Sequence, residues 1–72
     1  MTESVYKVIE LIGTSPESWE RAATVAIETA ASSLHDLRKA EVVELDMMIE
    51  GGKVVLYRAK LKVSFKYHQE GE

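Results

Sequence analysis

Apolar and polar positions alternate along most of this chain, and a helical spacing interrupts the alternation once. The run VYKVIELIG is β-rich, with Val5, Ile9 and Leu11 on one side and Tyr6, Val8 and Ile12 on the other. A strand that is apolar at both parities needs cover on both faces. The stretch GTSPESWE that follows carries helix-start signals: Ser15 as N-cap, Pro16 at the first helical position, and Glu17 and Glu20 near the positive end of the dipole. The spacing predicts a helix from about Pro16 to about Leu34. Trp19, Ala22, Ala23, Ala26, Ala30 and Leu34 give it an apolar stripe of mostly small residues, which lets a sheet approach closely, while Glu17, Arg21 and Glu28 lie on the other face.

Two long strands are predicted next, roughly Lys39 to Ile49 and Lys53 to Tyr67, joined by the turn signal EGGK. In the last strand the odd positions from Val55 to Tyr67 are apolar, and Arg58, Lys60, Lys62 and Lys66 lie on the even face. In the strand before it Val43, Leu45, Met47 and Ile49 form the apolar side, and Glu44, Asp46 and Glu50 share the even side with Val42 and Met48. Antiparallel partners have position numbers with a constant sum, so odd meets odd only when that sum is even. A two-residue Gly51-Gly52 loop gives an odd sum and sets core against solvent. A three-residue loop with a glycine in the left-handed region restores parity and places Glu44 opposite Arg58 or Lys60. The acids thus face the cations of the neighbouring strand, an arrangement worth roughly 0.2–1 kcal/mol per pair.

The strand lengths add a constraint. At ~3.3 Å per residue the hairpin spans some 35–50 Å, against ~28 Å for a helix of about nineteen residues. The sheet overhangs its helix, so Phe65, Tyr67 and Met47 need neighbours from other subunits. With 72 residues the chain is one domain, 1–72, whose polar end HQEGE (68–72) is expected to fray. A chain of this size buries only about 60% of its unfolded surface. Without cysteine, neither disulfides nor thiolate metal sites can stabilise it, which leaves oligomerisation and fits a reducing compartment. A net charge of −3 argues against nucleic acid as a partner. No apolar run reaches the ~20 residues of a membrane span, and the expected location is cytoplasmic.

Candidate chemistry is sparse. No nucleophile stands at a recognisable spacing from a base; Ser15, Ser18, Ser32 and Ser33 read as cap and helix-end residues, and no enzyme is expected. His35 and His68 have no spacing that suggests zinc, Met47 and Met48 read as gap fillers, and Trp19 reads as a packing residue. What remains is the acidic strip Glu44, Asp46 and Glu50 at i, i+2 and i+6. Repeated by symmetry in an assembly, it could form a hard-cation site of the kind calcium tolerates, although its spacing is not that of an EF-hand loop.

The order strand, helix, long hairpin, together with VYKVIELIGTSPESWERA and IEGGKVVLYRAKLKVSFK, resembles the dodecin family over about residues 4 to 66. The resemblance implies an α+β fold, β-α-β-β, in which a three-stranded antiparallel sheet partly wraps one helix, assembled as a hollow homododecamer. In most of that family the shell binds flavins in pairs, stacked on a tryptophan and hydrogen-bonded by a glutamine. The tryptophan position of the family's LRWFEV pattern falls at Lys39, the following aromatic at Ala40, and the glutamine of HYQVTLKV at Arg58. Lys39 offers no aromatic platform, and Arg58 only donates where an amide both donates and accepts. The resemblance and these departures from it, taken with the acidic strip, point to a non-enzymatic shell that binds, stores or sequesters a small ligand or cation, with calcium the candidate that the acids suggest and flavin stacking of the usual kind lost. The alternatives are a store for flavin (riboflavin or FMN) or a nucleotide cofactor, and a purely structural oligomer.

Overall fold

The computed structural model describes residues 3–67, so expectations for 68–72, including His68, lie outside the described residues. The elements are β1 (Tyr6–Ser15), α1 (Trp19–Ala31), β2 (Leu37–Glu50) and β3 (Lys53–Lys66). The α+β, β-α-β-β architecture expected from the sequence is the one present. The sheet is antiparallel with order β1-β3-β2, which makes the strand of cleanest alternation the central one.

The helix is shorter than its spacing predicts at both ends. Ser18, not Ser15, is the N-cap: its hydroxyl accepts the Arg21 amide at 3.0 Å. Ser15 closes β1 instead, buried, with its hydroxyl accepting the Glu17 amide at 3.0 Å in a side-chain turn. At the other end the Ser32 hydroxyl donates to the Thr29 carbonyl at 2.7 Å, a local bond that competes with helix continuation. Leu34 therefore lies beyond the helix. Ala22, Ala26 and Ala30 are buried as the small-residue stripe predicts, and together with Ala59, Leu61 and Val63 of β3 they supply most of the core. Gly13 permits this approach, because a Cβ there would collide with the Ala22 carbonyl and stand 2.9 Å from the Ala26 Cβ.

The hairpin keeps its parity by a different device from the three-residue loop. Gly51 and Gly52 form a two-residue turn, both at positive φ (57° and 77°), as a type I′ turn requires. The odd register this sets, Glu50 to Lys53 and Ile49 to Val54, is corrected one step later by a bulge at Val55, after which Met48 pairs with Leu56 and Asp46 with Arg58. A second bulge, at Val43, changes the register again, so Val42 pairs with Leu61 and joins the helix side rather than the acidic side. A third falls at Arg38.

The molecule measures 53 × 20 × 15 Å, and its radius of gyration of 15.0 Å exceeds the ~11 Å of a compact chain of this length. The excess is the overhanging hairpin. Apolar residues stay exposed on both faces of the sheet: Val8 (56%) and Ile12 (53%) away from the helix, Leu45 (48%) and Met47 (43%) beside it. Among the described residues nothing supplies the cover that β1 needs on its second face. No helix among the described residues is long and apolar enough to cross a membrane.

Candidate functional site

Because β3 is central, its even positions form a column of cations on the face away from the helix, flanked by both edge strands. Lys62 sits between Glu10 and Glu41, Lys60 between Ile12 and Glu44, and Arg58 between Thr14 and Asp46. Glu44 thus lies opposite Lys60, one of the two partners its register allowed. The Val43 bulge is what lets Glu41, of odd number, share this face with Glu44 and Asp46.

The three acids of the candidate cation strip are treated differently by the fold. Asp46 is held by Arg58, whose Nε donates to Oδ1 at 2.7 Å and Nη2 to Oδ2 at 3.4 Å, both side chains being part-exposed. The hydrogen bond to Asp46, then its charge, and finally the charge of Glu44 raise the Arg58 pKa, with desolvation opposing. Glu50 sits at the hairpin tip opposite Lys53, four residues and ~13 Å along the strand from Asp46. Among the described residues of one protomer, no three Asp, Glu or His side chains converge on a point where they could hold a metal.

Asp46 also does something its place in the sequence does not announce. Its backbone carbonyl accepts the Trp19 indole Nε1–H at 3.0 Å, and the indole packs edge-to-face on Tyr57 with ring centroids 5.1 Å apart. Trp19 is the packing residue expected, and it fastens α1 to β2 across the end of the core. A tryptophan one residue inside a helix start was the only signal available for this contact.

Lys39 and Arg58 point to the same side of the sheet but do not meet. Lys39 lies opposite Ser64, whose hydroxyl donates weakly to the Lys39 carbonyl at 3.4 Å. Ser64 and Arg58 are six residues apart on β3, or ~20 Å.

With this geometry in view, comparison with known proteins is informative. The dodecin family model matches residues 5–68. The chain belongs to the dodecin family. Among curated relatives it is 54% identical to a calcium dodecin of Mycobacterium tuberculosis over 63 residues, covering 88% of this chain and 89% of the relative. It is 37% identical to a dodecin of Thermus thermophilus over 65 residues, covering 90% and 94%. Among solved structures, a dodecin from Streptomyces coelicolor superposes with a TM-score of 0.92 at 31% identity, covering 97% of this chain and all of that one. The M. tuberculosis calcium dodecin, described as having a novel calcium-binding site, superposes with a TM-score of 0.81 at 51% identity, covering 96% and 99%.

Proposed function

We propose that the protein assembles into a closed shell of twelve identical subunits that holds a small cation, calcium, and catalyses no reaction. The observation that carries this reading is the sheet itself. Its apolar residues lie uncovered on both faces, and its outer face presents a ladder of carboxylates in which Asp46 alone closes an ion pair among the described residues. Covering the apolar residues with other copies stabilises a chain too small to bury enough surface alone, and the same packing gathers Glu44, Asp46 and Glu50 from several subunits. Calcium accepts six to eight oxygens in irregular geometry, which suits carboxylates brought together by symmetry rather than by one loop. The calcium dodecin relative at 54% identity supports the choice of ion.

The residues at the family's flavin positions do not fit that ligand. Lys39 has no ring to stack on, and the Arg58 guanidinium is a pure donor turned toward Asp46. Storage rather than flavin chemistry is the function that these side chains support.

The test is a native mass spectrum of the purified protein, followed by melting curves after chelation and after calcium is returned. A twelve-subunit mass with retained calcium, and a melting temperature that rises with calcium and falls with chelator, support the reading by mass action. A stable monomer of 8.1 kDa, or a melting curve indifferent to calcium, overturns it.

A further inference from the structure

Between the flank of α1 and the free edge of β1 runs an apolar groove of about 440 Å³, whose lining includes Ile12, Thr14, Val25, Ala26, Ala30 and Leu34 and no charged residue. The Tyr67 amide donates to the Val5 carbonyl at 2.8 Å, and in the register of β1 against β3 this makes the odd residues of β1 the bonded ones. Ile12 and Thr14 therefore turn their backbone N–H and C=O groups to the free edge, beside the groove. A cover for such an edge has to supply backbone partners as well as apolar side chains.

The same chain carries a segment of that kind. Beyond the bond from Trp19 to Asp46 the hairpin continues as a two-stranded tongue, residues 47–50 and 53–56, one edge of which belongs to β2, the other edge strand of the sheet. On the helix side the tongue presents Met47, Ile49 and Val54, which are 43%, 63% and 45% exposed, while Glu50 and Lys53 lie on the opposite side. Its four residues of β2 span ~13 Å, the length of the groove wall formed by residues 11–14 of β1. The protomer exposes 5431 Å², about 900 Å² more than the ~4,500 Å² expected of a folded chain of 8.1 kDa. That excess is close to the ~800 Å² each partner contributes to a standard interface. We propose that the groove receives the tongue of a second copy, with Met47 and Ile49 seated against Ala26, Ala30 and Leu34 and β2 running beside the free edge of β1. The two surfaces differ, so each copy gives one tongue and accepts another, a head-to-tail contact that closes on a ring. The proposal rests on the assembly reading above and names the surfaces that meet in it.

The chain has no cysteine, so engineered pairs report the contact cleanly. Thr29 lies ~15 Å along the helix from Trp19, and Ile49 lies ~10 Å along β2 from Asp46 in the other direction, so a link between them joins two copies. Oxidation, or a short bis-maleimide, should convert Thr29→Cys combined with Ile49→Cys into covalent dimers and larger oligomers on a denaturing gel, while each single variant stays monomeric there. Val25→Cys with Met47→Cys serves where the first pair disturbs assembly. A double variant that stays unlinked, while its native mass is that of the assembly, overturns the proposal and leaves the assembly standing. So does Ile49→Cys that links to itself, which would mean that tongues meet each other. A Thr29→Cys thiol that reacts freely in the assembled protein would leave the groove open to a small apolar ligand or another protein, and overturns it as well. A stable monomer removes both this contact and the assembly on which it rests.

Discussion

The indole of Trp19 donates to the carbonyl of Asp46 at 3.0 Å, so the first turn of the helix is fastened to the residue whose carboxylate Arg58 holds. Replacing Trp19 with Phe should keep an aromatic contact with Tyr57 and leave that carbonyl without its donor. The expected cost is about 1–3 kcal/mol per subunit, read from the denaturant midpoint. As the one tryptophan of the chain, Trp19 should also change its emission when calcium displaces the Arg58 guanidinium from Asp46, whereas emission unmoved by saturating calcium would place the ion elsewhere.

Arg58 should give the fold no pH sensitivity in the physiological range. Its pKa is raised by Asp46, so its contribution is fully present below the ordinary guanidinium value and is lost only as pH rises through the still higher folded value. The difference in melting temperature between the wild type and Arg58→Gln should be flat across neutral and mildly alkaline pH. A difference that shrinks within that range would mean that another titrating group holds Asp46.

Riboflavin should bind far more weakly than a site with an aromatic platform allows, because each lost stacking contact removes roughly 0.5–1.5 kcal/mol beyond area burial. Fluorescence quenching measures this directly. Lys39→Trp combined with Arg58→Gln should strengthen binding, and since the two positions lie ~20 Å apart in one protomer, the gain should require an intact assembly.

Two backbone positions give opposite outcomes. Gly51→Asn should raise stability by about 0.4–1 kcal/mol, because asparagine tolerates the left-handed turn, a Cβ there meets nothing within 4 Å, and the unfolded chain loses freedom. Gly13→Ala should lower it by about 1–3 kcal/mol, because the added methyl meets the helix backbone at Ala22. Chemical denaturation of both variants beside the wild type checks the pair.

Asp36 occupies a left-handed conformation at φ 61°, and its carbonyl accepts the Lys66 amide at 3.1 Å. Asp36→Asn should stay within ~0.5 kcal/mol of the wild type, since asparagine shares this tolerance, whereas the β-branched Asp36→Val should cost about 1–2 kcal/mol. Equal melting temperatures for the two would show that the backbone relaxes at this position.

The sequence made element order, the buried alanine stripe and the facing of acids and cations legible, because each rests on a local period that the fold does not override. Helix ends were less legible: Ser15 and Ser18 are both competent caps, and the choice between them depends on how far β1 runs beside β3. The register was right for Glu44 and wrong for the reason given, since one bulge at Val55 does the work expected of a longer loop. Bulges leave little trace in a period-two pattern when the extra residue is a valine among valines. The acid strip was legible as a face, but the separate commitment of Asp46 to Arg58 depends on cross-strand geometry that spacing along one strand does not contain.

The bulge at Val43 acts as a phase shifter within a single strand. Above it, even-numbered residues of β2 face outward; between it and the bulge at Arg38, odd-numbered Lys39 and Glu41 do, with Ala40 and Val42 turned toward the helix. Deleting that one valine would therefore turn the segment from Lys39 to Val42 over relative to the rest of the strand above it, carrying Lys39 and Glu41 onto the helix side and Ala40 and Val42 out beside the lysines. A single-residue deletion here would interchange the molecule's inside and outside over the segment between the two bulges, a larger rearrangement than any substitution on the same face could cause.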